Sequence, residues 1–307
     1  MNDKVISKES LSEFLEQSLQ DDLTVILSEI KGVLECQDIE DVHRQRVAVR
    51  RLRNHLQFFR YFGDEALKTF LLEFHNQSNE FAQLLAEIRD LDIQISLYQQ
   101  YQTGFGDFGI DPYLSRMQEN RQILQQKLQL FFAEMDPRQV FAAFSRDIPE
   151  MLSYHLISDV DYLAAIPAKT LCQLSSTAMA RLYLLDDRSG FDELHQFRKS
   201  IRRLRYTLEI YAPWFPIDLE AQIETCHQMQ DLLGVIHDLD ILLLHIGQTP
   251  KEDGVAALKI LPILQTARLP YHQVFGASCR SGEIMNFLQN LLHQFSNNPK
   301  ASKGIYT

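Results

Sequence analysis

An eleven-residue helix pattern occurs twice in this chain. The segment HRQRVAVRRLR at 43–53 returns as HQFRKSIRRLR at 195–205, identical at six of eleven positions and displaced by 152 residues. A second pair follows in the same order. LLAEIRDLDI at 84–93 is matched by LLGVIHDLDI at 232–241, displaced by 148. Two motifs repeated in order at nearly one separation predict a duplicated chain, with repeats at about 9–136 and 165–296 and a connector at 137–164. A duplication of this size predicts two similar bundles about a pseudo-twofold axis.

The units should be helical. Apolar residues recur at helical spacing, Gly (12) and Pro (10) are few, and no window alternates as a strand would. In the first half the periodicity predicts helices over Ser10–Glu35, Asp41–Phe62, Glu65–Gln102 and Pro112–Met135. Asp38 or Asp41 would cap the second, and the Gly104/Gly106 pair would stop the third. Pro137–Asp161, with Pro149 inside it, reads as connector. The second half predicts Lys169–Leu185, a turn at 186–190, Phe191–Tyr211, Leu219–Ile246, and Gly254–Phe295 interrupted near Gly276–Gly282. The expected fold is all-α, two four-helix bundles of long antiparallel helices.

On a helix advancing ~100° per residue, His43, Arg46, Arg50 and Arg53 fall in one narrow stripe. Val49, Leu52, Leu56 and Phe59 form the core face on the other side. His195, Arg198, Arg202 and Arg205 repeat the stripe, with Arg51, Lys199 and Arg203 on its outer flank. Each eleven-residue segment holds five Lys/Arg and no acid, so ten of the 30 basic residues sit in 22 positions. The chain's net charge is −11, which leaves −21 for everything outside them. Aligned cations repel one another, and a bound polyanion would relieve that cost. Nine of the ten are Arg, whose planar fork donates bidentate hydrogen bonds to phosphate oxygens. A ladder of forks suits a repeating phosphate chain better than a single small anion. His43 and His195 at the stripe's edge would add donors, their pKa raised by the bound anion.

Asp90/Asp92 and Asp238/Asp240 admit two readings. His237-Asp238 looks like the His-Asp dipeptide of metal-dependent phosphohydrolases, but its counterpart in the first repeat is Arg89, which cannot ligate a metal. On the other reading Arg89 and His237 add cationic donors, and the Asp residues accept hydrogen bonds that hold arginines or backbone in place. No nucleophile motif, Gly-rich phosphate loop or carboxylate pair within the stripes is present. Binding without catalysis, cofactor or metal is the expectation. A phosphohydrolase, a nucleic-acid binder and a scaffold for acidic partners are the alternatives.

A net acidic chain is a poor general nucleic-acid binder. No stretch reaches the ~20 apolar residues that span a bilayer, and the first ten residues have no secretory pattern. Cys36, Cys172, Cys226 and Cys279 lack paired spacing, so reduced thiols and a cytoplasmic location are expected.

The two motif pairs resemble the hallmarks of the CHAD family (conserved histidine α-helical domain). These are a His-x-x-Arg-x-x-x-Arg-Arg-Leu-Arg helix in each half and a following Asp-Leu-Asp segment, here 43–53 with 85–92 and 195–205 with 233–240. The resemblance spans roughly 9–295. It implies paired bundles with a basic central surface that binds inorganic polyphosphate, and partners among polyphosphate granule proteins. By position it assigns binding to His43, Arg46, Arg50, Arg51 and Arg53, and to His195, Arg198, Lys199, Arg202, Arg203 and Arg205.

Overall fold

A computed structural model describes residues 8–35, 39–102, 111–185, 191–214, 217–248 and 255–296. The expected cap Asp38, the Gly104/Gly106 stop and the 186–190 turn lie outside them. The described chain is all-α. Its helices are α1 (Lys8–Glu35), α2 (Ile39–Phe59), α3 (Glu65–Gln77), α4 (Asn79–Gln102), α5 (Pro112–Glu134), α6 (Pro137–His155), α7 (Val160–Tyr183), α8 (Phe191–Tyr211), α9 (Glu220–Gln248), α10 (Val255–Arg280) and α11 (Glu283–Ser296). Short 3-10 turns follow α2 at Arg60–Phe62 and α8 at Ala212–Trp214. Among the described residues one isolated antiparallel bridge, Gly63 to Leu156, is the sole extended pairing.

Two compact units divide the described chain. The first takes residues 8–95 and 115–163, and the second takes 96–102, 111–114 and 164–296. Within the first, α1 packs on α2 and α6, and α3 packs on α2 and α6. Its core is apolar side chains at helical spacing, Leu11, Leu15, Leu19, Leu23 and Ile26 from α1 against Val49, Leu52, Leu56 and Phe59 from α2. Gly32 allows the close approach of α1 to the start of α2, since a Cβ there would come within 2.7 Å of the Asp41 carboxylate. Within the second unit, α8 packs on α9, α9 on α10 and α10 on α11. Phe197, Ile201, Leu204 and Leu208 of α8 meet Leu233, Ile236 and Leu239 of α9 in its core.

Three boundaries differ from the expectation. The helix expected over Glu65–Gln102 is two, because Ser78 ends α3 and its Oγ bonds the His75 carbonyl at 2.9 Å. The expected connector is mostly helix. Asp136 caps α6, accepting from the Arg138 amide at 3.0 Å, and Pro137 fits the first turn. Phe141, Phe144, Ile148 and Leu152 bury one face of α6 despite Pro149, so this segment belongs to the first unit's core. Lastly, α7 begins at Val160 rather than Lys169.

Candidate functional site

In the first unit the stripe lies on the flank of α2 away from its apolar seam. His43, Arg46 and Arg50 are all half-buried there. Helix α4 adds Arg89 and Asp90 to this flank. Arg46 Nη2 stands 3.7 Å from Asp90 Oδ1, and Arg89 Nη1 donates to Glu40 Oε1 at 3.4 Å. The Nδ1 of His43 is buried without a hydrogen-bond partner. Burial, then the charges of Arg89, Arg46 and Arg50, hold this imidazole below its ordinary pKa against the opposing pull of Glu40.

The second unit repeats the arrangement with changes that include Lys199 in place of Val47 and His237 in place of Arg89. His195, Arg198 and Arg202 are half-buried on α8, and Lys199 and Arg203 are exposed beside them. Where α4 offers Arg89, α9 offers His237, whose ring stacks on His195 with centroids 4.7 Å apart and planes 22° apart. Phe191 stacks on His195 at 5.6 Å and leans on His237 at 5.4 Å. Nδ1 of His237 lies 3.0 Å from Asp238 Oδ1. Burial, and then Lys199, His237, Arg198 and Arg202, push the His195 imidazole down to about 4. The repeated spacing predicts a raised pKa for both histidines once an anion is bound. In the free protein burial, and then the cations around them, lower both.

Three arginines assigned to the stripe are engaged elsewhere. Arg51 pairs with Asp22, a fully buried carboxylate on α1 that also meets His55. Arg53 donates to the His75 carbonyl, to Ser78 Oγ at 2.9 Å and to Asn79 Oδ1 at 3.0 Å, and so fastens the break between α3 and α4. Arg205 donates to Gln230 Oε1 at 3.0 Å, pairs with Glu209 at 3.1 Å and covers the Tyr206 ring at 4.5 Å. Positions 51 and 53 rotate toward α1 and the α3–α4 joint, which angular placement on an isolated helix cannot show. The cationic flank is therefore centred on His43, Arg46, Arg50 and Arg89 in one unit. In the other it is centred on His195, Arg198, Lys199, Arg202, Arg203 and His237.

The Asp-Leu-Asp pairs divide their work. The first carboxylate of each faces the stripe, Asp90 toward Arg46 and Asp238 toward His237. The second is buried and holds an arginine from the next helix. Asp92 Oδ1 accepts from Arg121 Nε on α5 at 2.7 Å, and Asp240 pairs with Arg268 on α10, with one contact at 3.2 Å. Arg121 and Arg268 lie outside both repeated motifs. Their separation of 147 residues nearly matches the 148 between Asp92 and Asp240, a signal that was available. Gly234 stands beside Arg198, whose Nη2 would lie 4.0 Å from a Cβ there. Among the described residues no three His, Cys, Asp or Glu side chains converge as a metal site requires. None of the described helices is long and apolar enough to cross a membrane.

The family model of the CHAD domain matches residues 17–246. Among solved structures, the crystal structure of the CHAD domain from the plant Ricinus communis superposes with a TM-score of 0.64 at 19% identity, over 91% of each chain. PptA from Streptomyces chartreusis superposes with a TM-score of 0.58 at 15% identity, over 86% of this chain and 99% of that one. At such identities the likeness is one of fold. Comparison with curated protein sequences gives no match.

Proposed function

The chain belongs to the CHAD family, and we propose that its two His/Arg flanks bind inorganic polyphosphate without acting on it. The observation that carries this reading is the recurrence of one cationic flank in both units. A half-buried imidazole and two half-buried guanidiniums stand in order along α2 and again along α8, each flank joined by a cationic or imidazole donor from the next long helix. Half-buried guanidiniums are held by packing, so less rotamer freedom is lost when they grip phosphate. Their forks repeat along the helix axis as phosphates repeat along a polymer. The −21 charge outside the two segments repels anions that cannot engage several forks together.

The neighbouring carboxylates support binding rather than hydrolysis. Asp92 and Asp240 are held by Arg121 and Arg268, and Asp90 and Asp238 stand beside Arg46 and His237. The granule proteins of cells that store polyphosphate are the partners this reading implies. In the decisive experiment long-chain polyphosphate is titrated against the protein beside duplex DNA, RNA and an acidic peptide. Tight binding of polyphosphate alone is expected, and Arg46→Glu with Arg198→Glu should weaken it at least a hundredfold with helicity intact. Equal affinity for nucleic acid or for the acidic peptide overturns the proposal. So does Mg²⁺- or Mn²⁺-dependent phosphate release that Asp238→Asn abolishes.

A further inference from the structure

The two flanks differ in their cations: Arg89 of the first unit is replaced by His237 of the second, and Lys199 of the second stands where the first has Val47. We infer that the second flank binds its polyanion together with a proton taken up by the stacked His195–His237 pair, whereas the first flank presents a fixed charge. The inference rests on the polyphosphate reading and adds a regulation to it.

Two imidazoles with centroids 4.7 Å apart repel each other when both are cations, so charging the pair is costly unless anions offset it. The groups around them in the free protein are mostly positive. Helix α8 supplies Arg198, Lys199 and Arg202. Helix α9 supplies Asp238, in contact with His237, and Asp240, whose carboxylate Arg268 of α10 already holds. Phe191, Leu194, Leu233 and Ile236 complete the lining with apolar surface, around a cavity of about 10 Å³, room for no more than one water. An imidazolium there gains little from solvent and is repelled by its neighbours, in keeping with the low pKa of His195. A phosphate chain laid along Arg198, Lys199 and Arg202 reverses that balance, because it neutralises the repelling cations and brings oxyanions to the ring edges. Protonation then adds a second charged donor to the bound state, so ligand and proton bind in mutual support.

In the first unit His43 faces Arg89, Arg46, Arg50 and Glu40. The Arg89 guanidinium stays charged at every pH of interest and supplies by itself the positive charge that an imidazole carries only when protonated. That fixed charge still opposes protonation of His43 when the polyanion is bound, so proton uptake there is smaller than at the second flank.

The experiment is calorimetric titration of long-chain polyphosphate, whose internal phosphates stay ionised throughout, at fixed ionic strength. Measurements run between about pH 5.5 and about pH 7.5, in buffers of different ionisation enthalpy that reveal proton uptake. The native chain should take up close to one proton and lose affinity roughly tenfold per pH unit over the steep part of that range. His237→Arg, which copies the first unit, should cut the uptake and flatten the profile. His237→Gln should flatten it too, with weaker binding at the acid end. His227→Gln, an exposed histidine on the same helix paired with Asp231, should keep the native slope. Binding by the native chain without proton uptake overturns the inference and leaves the polyphosphate reading intact, as does a slope that survives both His237 substitutions. No binding of polyphosphate at any pH overturns both.

Discussion

Asp92 and Arg121 show how the second carboxylate of each Asp-Leu-Asp segment serves the fold. Burial raises the pKa of Asp92, and the hydrogen bond and charge of Arg121 work against that rise. Removing the guanidinium leaves a buried carboxylate alone, so Arg121→Met should cost about 3–5 kcal/mol of stability at neutral pH. A carboxyl whose folded pKa is raised favours the folded state at low pH and loses that contribution as pH rises through the folded value. The penalty of Arg121→Met should accordingly shrink toward acid pH. Urea unfolding at neutral and mildly acidic pH tests this, and an equal cost at both would contradict it. The stripe histidines and arginines were legible from sequence because a repeated spacing exposes them. Arg121 and Arg268 left only their matching separation as a signal, and the diversion of Arg51, Arg53 and Arg205 left none, because it depends on which neighbouring helix lies within reach.

At the scale of helices, the interruptions matter more than the runs. The α10–α11 break turns on Gly282, whose φ of 74° is left-handed. A Cβ there would find space, its nearest neighbour being Asn286 Nδ2 at 3.9 Å, so the cost of a side chain is one of backbone conformation. Gly282→Ala should therefore destabilise the chain by about 1–2 kcal/mol, read as a lower thermal midpoint with native helix content retained. An unchanged midpoint would mean that the turn relaxes. Periodicity placed α1, α2, α5, α8 and α9 to within a few residues. It missed the end of α3, since His75, Asn76, Ser78 and Asn79 contain no Gly or Pro to mark it. The clue was a run of side chains that compete with the helix for backbone groups, as Ser78 does. It also read α6 as a connector, giving Pro149 more weight than the helical spacing of Phe141, Phe144, Ile148 and Leu152.

For the whole molecule, charge is the governing quantity. An acidic chain with its cations concentrated in two segments should bind polyphosphate with steep salt dependence. By analogy with duplex phosphate contacts, six engaged cations predict a loss on the order of a thousandfold between about 50 and 200 mM salt. A polyanion that relieves repulsion within the stripes should also raise the thermal midpoint, by about 2.7 kcal/mol of stability at a hundred times its Kd. A salt-insensitive affinity, or a midpoint that polyphosphate leaves in place, would remove the electrostatic basis of the proposed function.

The sequence by itself determined the helical class, the doubled cationic motif and the acidic background around it. All three follow from local spacing and residue type, which a linear pattern preserves. Tertiary structure decided which arginines remain on the cationic flank, which carboxylates hold partners in the interior, and that one flank carries a stacked histidine pair where the other carries Arg89. Those outcomes depend on distances between helices far apart in the chain, set by packing that no single segment encodes.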